Sequence, residues 1–93
     1  MSEDNIIYIG NKPFMNYVTS VVIQFTTKNA DEIIIRARGK FIWRAVDVSQ
    51  VALHRFLKDQ IAIKDVKLNS EDFINKDEKE VRVSTIDITM IKK

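Results

Sequence analysis

The apolar positions along this chain change period as it proceeds, and each change marks an element. Asn5 to Ile9 (NIIYI) is a short run rich in β-branched residues that predicts a strand, and Gly10 and Asn11 close it with a turn. From Pro13 the period becomes helical. Proline suits a first helical position because its missing N–H would be unpaired there in any case. Phe14, Val18, Val21, Val22 and Phe25 form one apolar stripe reaching about Thr27. Lys28 complements the helix dipole and Asn29 tolerates a left-handed conformation, so this pair closes the helix. Glu32 to Ala37 then predicts a strand, in which the consecutive Ile33, Ile34 and Ile35 imply burial on both faces, and Gly39 breaks it.

A second helix is expected from about Phe41 to Leu57, with Ile42, Ala45, Val46, Ser49, Leu53 and Phe56 on one side. Val48, Val51 and Ala52 lie off that stripe, so the helix is apolar over more of its circumference than a simple surface helix. Either a second copy of the chain or a more enclosing sheet would cover it. Two strands follow, Ile61 to Phe73 and Lys79 to Ile91, joined through Asn75-Lys76-Asp77-Glu78. Ile61 and Ile63 share one parity and Val66 and Leu68 the other; Val81 and Val83 likewise differ in parity from Ile86, Ile88 and Met90. Such facing switches predict a bulge or strong twist. Residues Asn69 to Arg82 have few apolar members, so they read as a projecting hairpin arm, mobile unless a partner holds it. The order βαβαββ implies an α+β two-layer sandwich, a single domain over residues 1–93.

Composition narrows the class. A chain of 93 residues, 45% hydrophobic and 30% charged, is globular in composition, yet at this size folding hides only about 60–65% of the unfolded surface, so pairing with another chain would help. There is no cysteine, hence no disulfide and no thiolate chemistry. No apolar run approaches the roughly 20 residues needed to cross a bilayer, and the acidic start Met1-Ser2-Glu3-Asp4 is unlike a signal peptide, so an intracellular protein without membrane attachment is expected.

The net charge of +2 matters less than its placement. Residues 69–82 hold three Lys/Arg against five Asp/Glu, whereas residues 1–68 hold ten against seven. Arg36, Arg38, Lys40 and Arg44 cluster without an acidic residue where a strand hands over to a helix start. Backbone N–H groups there favour an anion, and arginine forks match phosphate oxygens. A solvated basic loop is the alternative. Trp43, beside Lys40 and Arg44, could stack on a base or pack against a neighbouring subunit. Nothing points to catalysis: His54 is the only histidine and lacks a metal-ligand partner spacing, Asp31-Glu32 and Glu71-Asp72 are adjacent surface carboxylates, and two glycines cannot build a nucleotide loop. No catalytic residue, metal or cofactor is expected.

Four segments, GNKPFMNYV (Gly10 to Val18), ARGKFIWRAVD (Ala37 to Asp47), HRFL (His54 to Leu57) and VRVSTIDI (Val81 to Ile88), together resemble the Alba family of archaeal chromatin proteins. The resemblance spans nearly the whole chain and implies a fold similar to the C-terminal domain of bacterial translation initiation factor three. It also implies a homodimer, cytoplasmic and chromosome-associated, that binds and compacts duplex DNA, and often binds RNA, without sequence preference. An RNA chaperone or ribonucleoprotein subunit is the alternative, and a paralogue could replace one copy of the dimer.

Carried over by position, the resemblance places Asn11, Lys12, Arg38, Lys40 and Arg44 on the nucleic-acid face, with Lys76, Lys79 and Arg82 on an arm that reaches along the minor groove. Arg55, Phe56 and Leu57 would form the contact between neighbouring dimers. Two departures bear on mechanism. Asn11 stands where the family has a lysine under acetylation control, so that regulation cannot act there. The arm carries Glu71, Asp72, Asp77, Glu78 and Glu80, which would repel phosphate, so either its acidic side turns to solvent, the favoured reading, or the arm contributes less than usual.

Overall fold

The computed structural model describes residues 5–93. Strand β1 (Ile6–Tyr8) leads into helix α1 (Phe14–Thr26), strand β2 (Glu32–Arg38), helix α2 (Ile42–Val51), and the long strands β3 (Ile61–Ile74) and β4 (Glu80–Lys92). The sheet order is β1-β2-β4-β3, with β1 and β2 parallel and the other pairings antiparallel. Both helices lie on one face of the sheet, and the two-layer α+β reading holds.

The first helix begins one residue later than expected: Pro13 has an extended ψ of 140° and sits just outside the helix. The close at Asn29 matches expectation, with φ at 54°. In β2, burial alternates, because helices cover only one face. Ile33, Ile35 and Ala37 point into the core, while Ile34 lies half-buried on the open face between Ile6 and Thr89. The expectation of burial on both faces is thus corrected: the isoleucine triplet serves an open sheet. Gly39 takes φ 53°, a conformation natural to glycine, and leads through a 3-10 turn (Gly39–Phe41) into α2. Beyond Val51 the helix widens into a π turn over Ala52–Phe56, closed by Leu57 N–H on the Ala52 carbonyl at 2.9 Å.

The core joins Val18, Val21 and Phe25 of α1 and Ala45 and Val48 of α2 to Ile33, Ile35, Ile88 and Met90 beneath them. Ser49, a buried polar side chain, donates its hydroxyl to the Val46 carbonyl at 2.6 Å. Beyond this core the hairpin runs on. Pairing continues to Ile74 opposite Glu80, and the molecule measures 47 × 27 × 20 Å. Its radius of gyration is 14.3 Å, whereas a compact chain of this length has roughly 12 Å, and the arm accounts for the excess.

The parity switch in β3 is a bulge: pairing slips between Ile63 and Asp65, leaving Lys64 extra. It keeps Ile61, Ile63, Val66 and Leu68 on the helix side, opposite Lys92, Met90, Ile88 and Ile86. Strand β4 has no such slip. There the switch is a change of face, with Val81 and Val83 joining Phe73 on the open side of the sheet. At the tip, Asn75 organises the turn by accepting N–H groups of Asp77 (2.9 Å) and Lys79 (3.1 Å) on its side-chain oxygen.

Candidate nucleic-acid interface

Parallel β1 and β2 end at the same edge of the sheet, so the turns that follow them are neighbours and both helices start there. Neither helix has an acidic residue in its first turn. The edge therefore combines two helix N-termini with Lys12, Arg38, Lys40 and Arg44, an environment suited to phosphate.

The β1–α1 turn is tied down by a residue the sequence reading placed in no role. Tyr17, buried on α1, accepts the N–H groups of Gly10 at 2.9 Å and Lys12 at 3.0 Å on its hydroxyl oxygen. Arg44 stacks over the same ring at 5.6 Å and donates to the Gly10 carbonyl. Asn11 and Lys12 are consequently held out on a fixed loop, both exposed. Arg44 is half-buried and committed to that loop, so it supports the basic edge more than it extends it. The signal available in sequence was a tyrosine one turn into a helix that follows a glycine turn, which reads equally well as ordinary stripe filling.

Arg36 and Arg38 share the open face of β2 but differ in commitment. Arg36 makes a two-pronged pair with Asp87, at 2.8 and 3.0 Å, and this bonding raises its pKa above the ordinary arginine value. Arg38 reaches toward the arm, 3.0 Å from Glu71 and 5.8 Å from the centre of the Phe73 ring. Both members of the Arg38–Glu71 pair are more than half exposed, and such pairs contribute about 0–1 kcal/mol, so phosphate can displace the carboxylate. Lys40 is exposed beside Phe41.

The arm has no single acidic side. Glu71 faces the open side toward Arg38, whereas Asp72 lies on the other face and pairs with Arg82 at 2.9 Å. The expectation that its carboxylates turn together to solvent is corrected by the alternation of side chains along a strand. Lys76 and Lys79 are exposed at the tip, away from the basic edge. Trp43 stands out from α2, 64% exposed. Arg55 and Phe56 are exposed on the π turn, but Leu57 is 2% exposed and fills the core, so its side chain is no surface contact. His54 meets Gln50 at 3.2 Å. Among the described residues no cluster of three His, Cys, Asp or Glu could hold a metal ion, and no helix is long and apolar enough to cross a membrane.

Comparison with known proteins identifies the family. The family described as Alba matches residues 5–70. The chain is 48% identical over 90 residues to the DNA/RNA-binding protein Alba of Methanothrix thermoacetophila, covering 97% of this chain and 98% of that one. It is 46% identical over 89 residues to the protein of the same name in Methanococcus maripaludis, covering 96% and 99%. The solved structure of Alba from Thermoplasma volcanium superposes with a TM-score of 0.85 at 44% identity, covering 94% of this chain and 99% of that one. With a family match across most of its length and relatives this close, the chain belongs to the Alba family.

Proposed function

We propose that this protein binds DNA and RNA without sequence preference, through phosphates, as a homodimer that coats and compacts duplex DNA. The observation that carries this reading is the basic edge, where Lys12, Arg38, Lys40 and Arg44 gather around two helix starts free of acidic residues. Close relatives carry the name DNA/RNA-binding protein Alba, which accords with it. Phosphate contacts position a protein on a duplex and carry no sequence information.

Pairing of two chains is supported by apolar side chains that the monomer leaves open on one side, namely Val46 on α2 and Val66 and Leu68 on β3. A dimer would direct two arms outward, with Lys76, Lys79 and Arg82 following the minor groove. Arg55 and Phe56 would join neighbouring dimers along DNA. Phe56→Ala then leaves dimers intact while cooperative coating falls, as read by the steepness of a DNA titration.

The test is a competition titration between duplex DNA and RNA of equal length at several salt concentrations. A dimer making about eight phosphate contacts gives a slope of log K against log salt of about −7. A salt-insensitive isotherm, or binding to one DNA sequence alone, would overturn the reading. Strong preference for RNA would favour an RNA chaperone or ribonucleoprotein subunit, for which exposed Trp43 offers a stacking surface.

A further inference from the structure

The side of the sheet away from the helices carries a hollow of about 740 Å³ between the β2–α2 turn and the arm, within the size range of ligand clefts. One row of directly paired residues crosses it: Tyr8, Arg36, Asp87 and Lys67. The next row brings Arg38, Thr85 and Asn69 together, with Lys40 at the end of the hollow and Phe73 on its arm side. An uncovered sheet face is ordinarily polar. This one presents Tyr8, 58% exposed, with Phe73 also open.

Charge identifies the occupant. The lining cations are Arg36, Arg38, Lys40 and Lys67, and the carboxylates are Asp87 and Glu71. Asp87 is bound by Arg36 through both oxygens and Glu71 is engaged by Arg38. Lys67 has no ion-pair partner among the described residues, and Lys40 faces only an aromatic ring. An anion entering the hollow therefore meets a net positive field, and a flat ring beside it. Arg36, held by Asp87 at 5.9 Å from the Tyr8 centroid, fixes one flank of that ring. Positive grooves interleaved with exposed aromatic rings bind unpaired nucleotides, because every base offers a face to stack and every linkage offers a phosphate. A base inside a duplex has both faces occupied and cannot lie on a ring without leaving the helix.

The geometry points to a subsite for unpaired nucleotides on this open face: a base stacks on Tyr8, the phosphates beside it meet Arg38 and Lys40, and the strand continues across β4 and β3 past Thr85 and Asn69, where a following phosphate meets Lys67. This rests on the nucleic-acid reading above and extends it to single strands, on a surface separate from the arm tip and the β1–α1 loop.

The experiment measures binding of oligo(U), oligo(dT) and duplex DNA of equal length to the full chain and to Tyr8→Leu, Tyr8→Phe and Lys67→Ala. Losing a stacked base weakens binding about 5- to 150-fold. Tyr8→Leu is expected to weaken one or both single strands by that factor and leave duplex affinity within about twofold, while Tyr8→Phe restores single-strand binding because the ring suffices. The oligonucleotide that loses affinity names the source, RNA or DNA. Lys67→Ala is expected to lower single-strand affinity and its salt slope. Unchanged single-strand binding in Tyr8→Leu, with wild-type binding intact, overturns the subsite and spares the broader reading. A shift in the dimer dissociation constant instead of in binding also overturns it, making the face a seat for a second copy. If the wild-type chain binds none of the three, both readings fall together.

Discussion

Leu68 and Ile86 face each other across the β3–β4 ladder on the same side of the sheet, yet Ile86 is 5% exposed and Leu68 is 71% exposed. The helical layer covers β4 at this point but reaches only the start of β3, where Ile61 is buried. Equivalent apolar residues therefore differ according to whether a second layer reaches them: Ile86 belongs to the core, and Leu68 is left open. The same division separates Arg36, fixed in the body by Asp87, from Arg38, held loosely by an exposed carboxylate of the arm.

Substitutions can break this comparison. Ile35→Ala, in the fully buried layer, should cost about 2–5 kcal/mol in urea unfolding. Leu68→Ala should change the stability of the folded monomer by no more than about 0.5 kcal/mol, with its effect confined to a weaker dimer in sedimentation. A loss at Leu68 as large as that at Ile35 and independent of protein concentration would erase the distinction.

Tyr17→Phe removes the oxygen that accepts the Gly10 and Lys12 N–H groups. The expected loss of stability is about 1–3 kcal/mol, accompanied by weaker DNA binding as the loop carrying Lys12 loosens. Unchanged protection of the Gly10 and Lys12 amides from hydrogen exchange would count against that role.

Arg38→Ala should weaken binding to all DNA sequences about equally and reduce the salt slope by about one per chain. A loss confined to one sequence would refute the backbone role. The smallest expected effect is a gain. Glu71→Gln frees Arg38 from its 3.0 Å partner and should tighten duplex binding by up to about fivefold at low salt, matching the 0–1 kcal/mol worth of an exposed pair. The double variant with Arg38→Ala should show no such gain.

Much of the scaffold was legible because period and punctuation act locally. The Phe14–Phe25 stripe, the left-handed Asn29, the break at Gly39 and the parity slip of β3 each follow from backbone sterics and side-chain alternation over a few residues. The family motifs placed the basic residues on the chain, and the fold gathered Lys12, Arg38, Lys40 and Arg44 at one edge because β1 and β2 run parallel. Tyr8 and Tyr17 escaped notice, since a tyrosine in a strand or helix carries no local mark of what its ring or hydroxyl will face.

The sequence by itself determined the order βαβαββ, the long hairpin and the clustering of charge between β2 and α2, because these depend on neighbours in the chain. Only the tertiary structure decided which face of the sheet is covered, that Leu57 fills the core while Phe56 is exposed, and that Glu71 and Asp72 point to opposite sides of the arm. It also decided which arginines are committed and which can be released. Those outcomes depend on contacts between residues far apart in sequence, Arg36 with Asp87 and Arg38 with Glu71, and strand register brings those partners within reach.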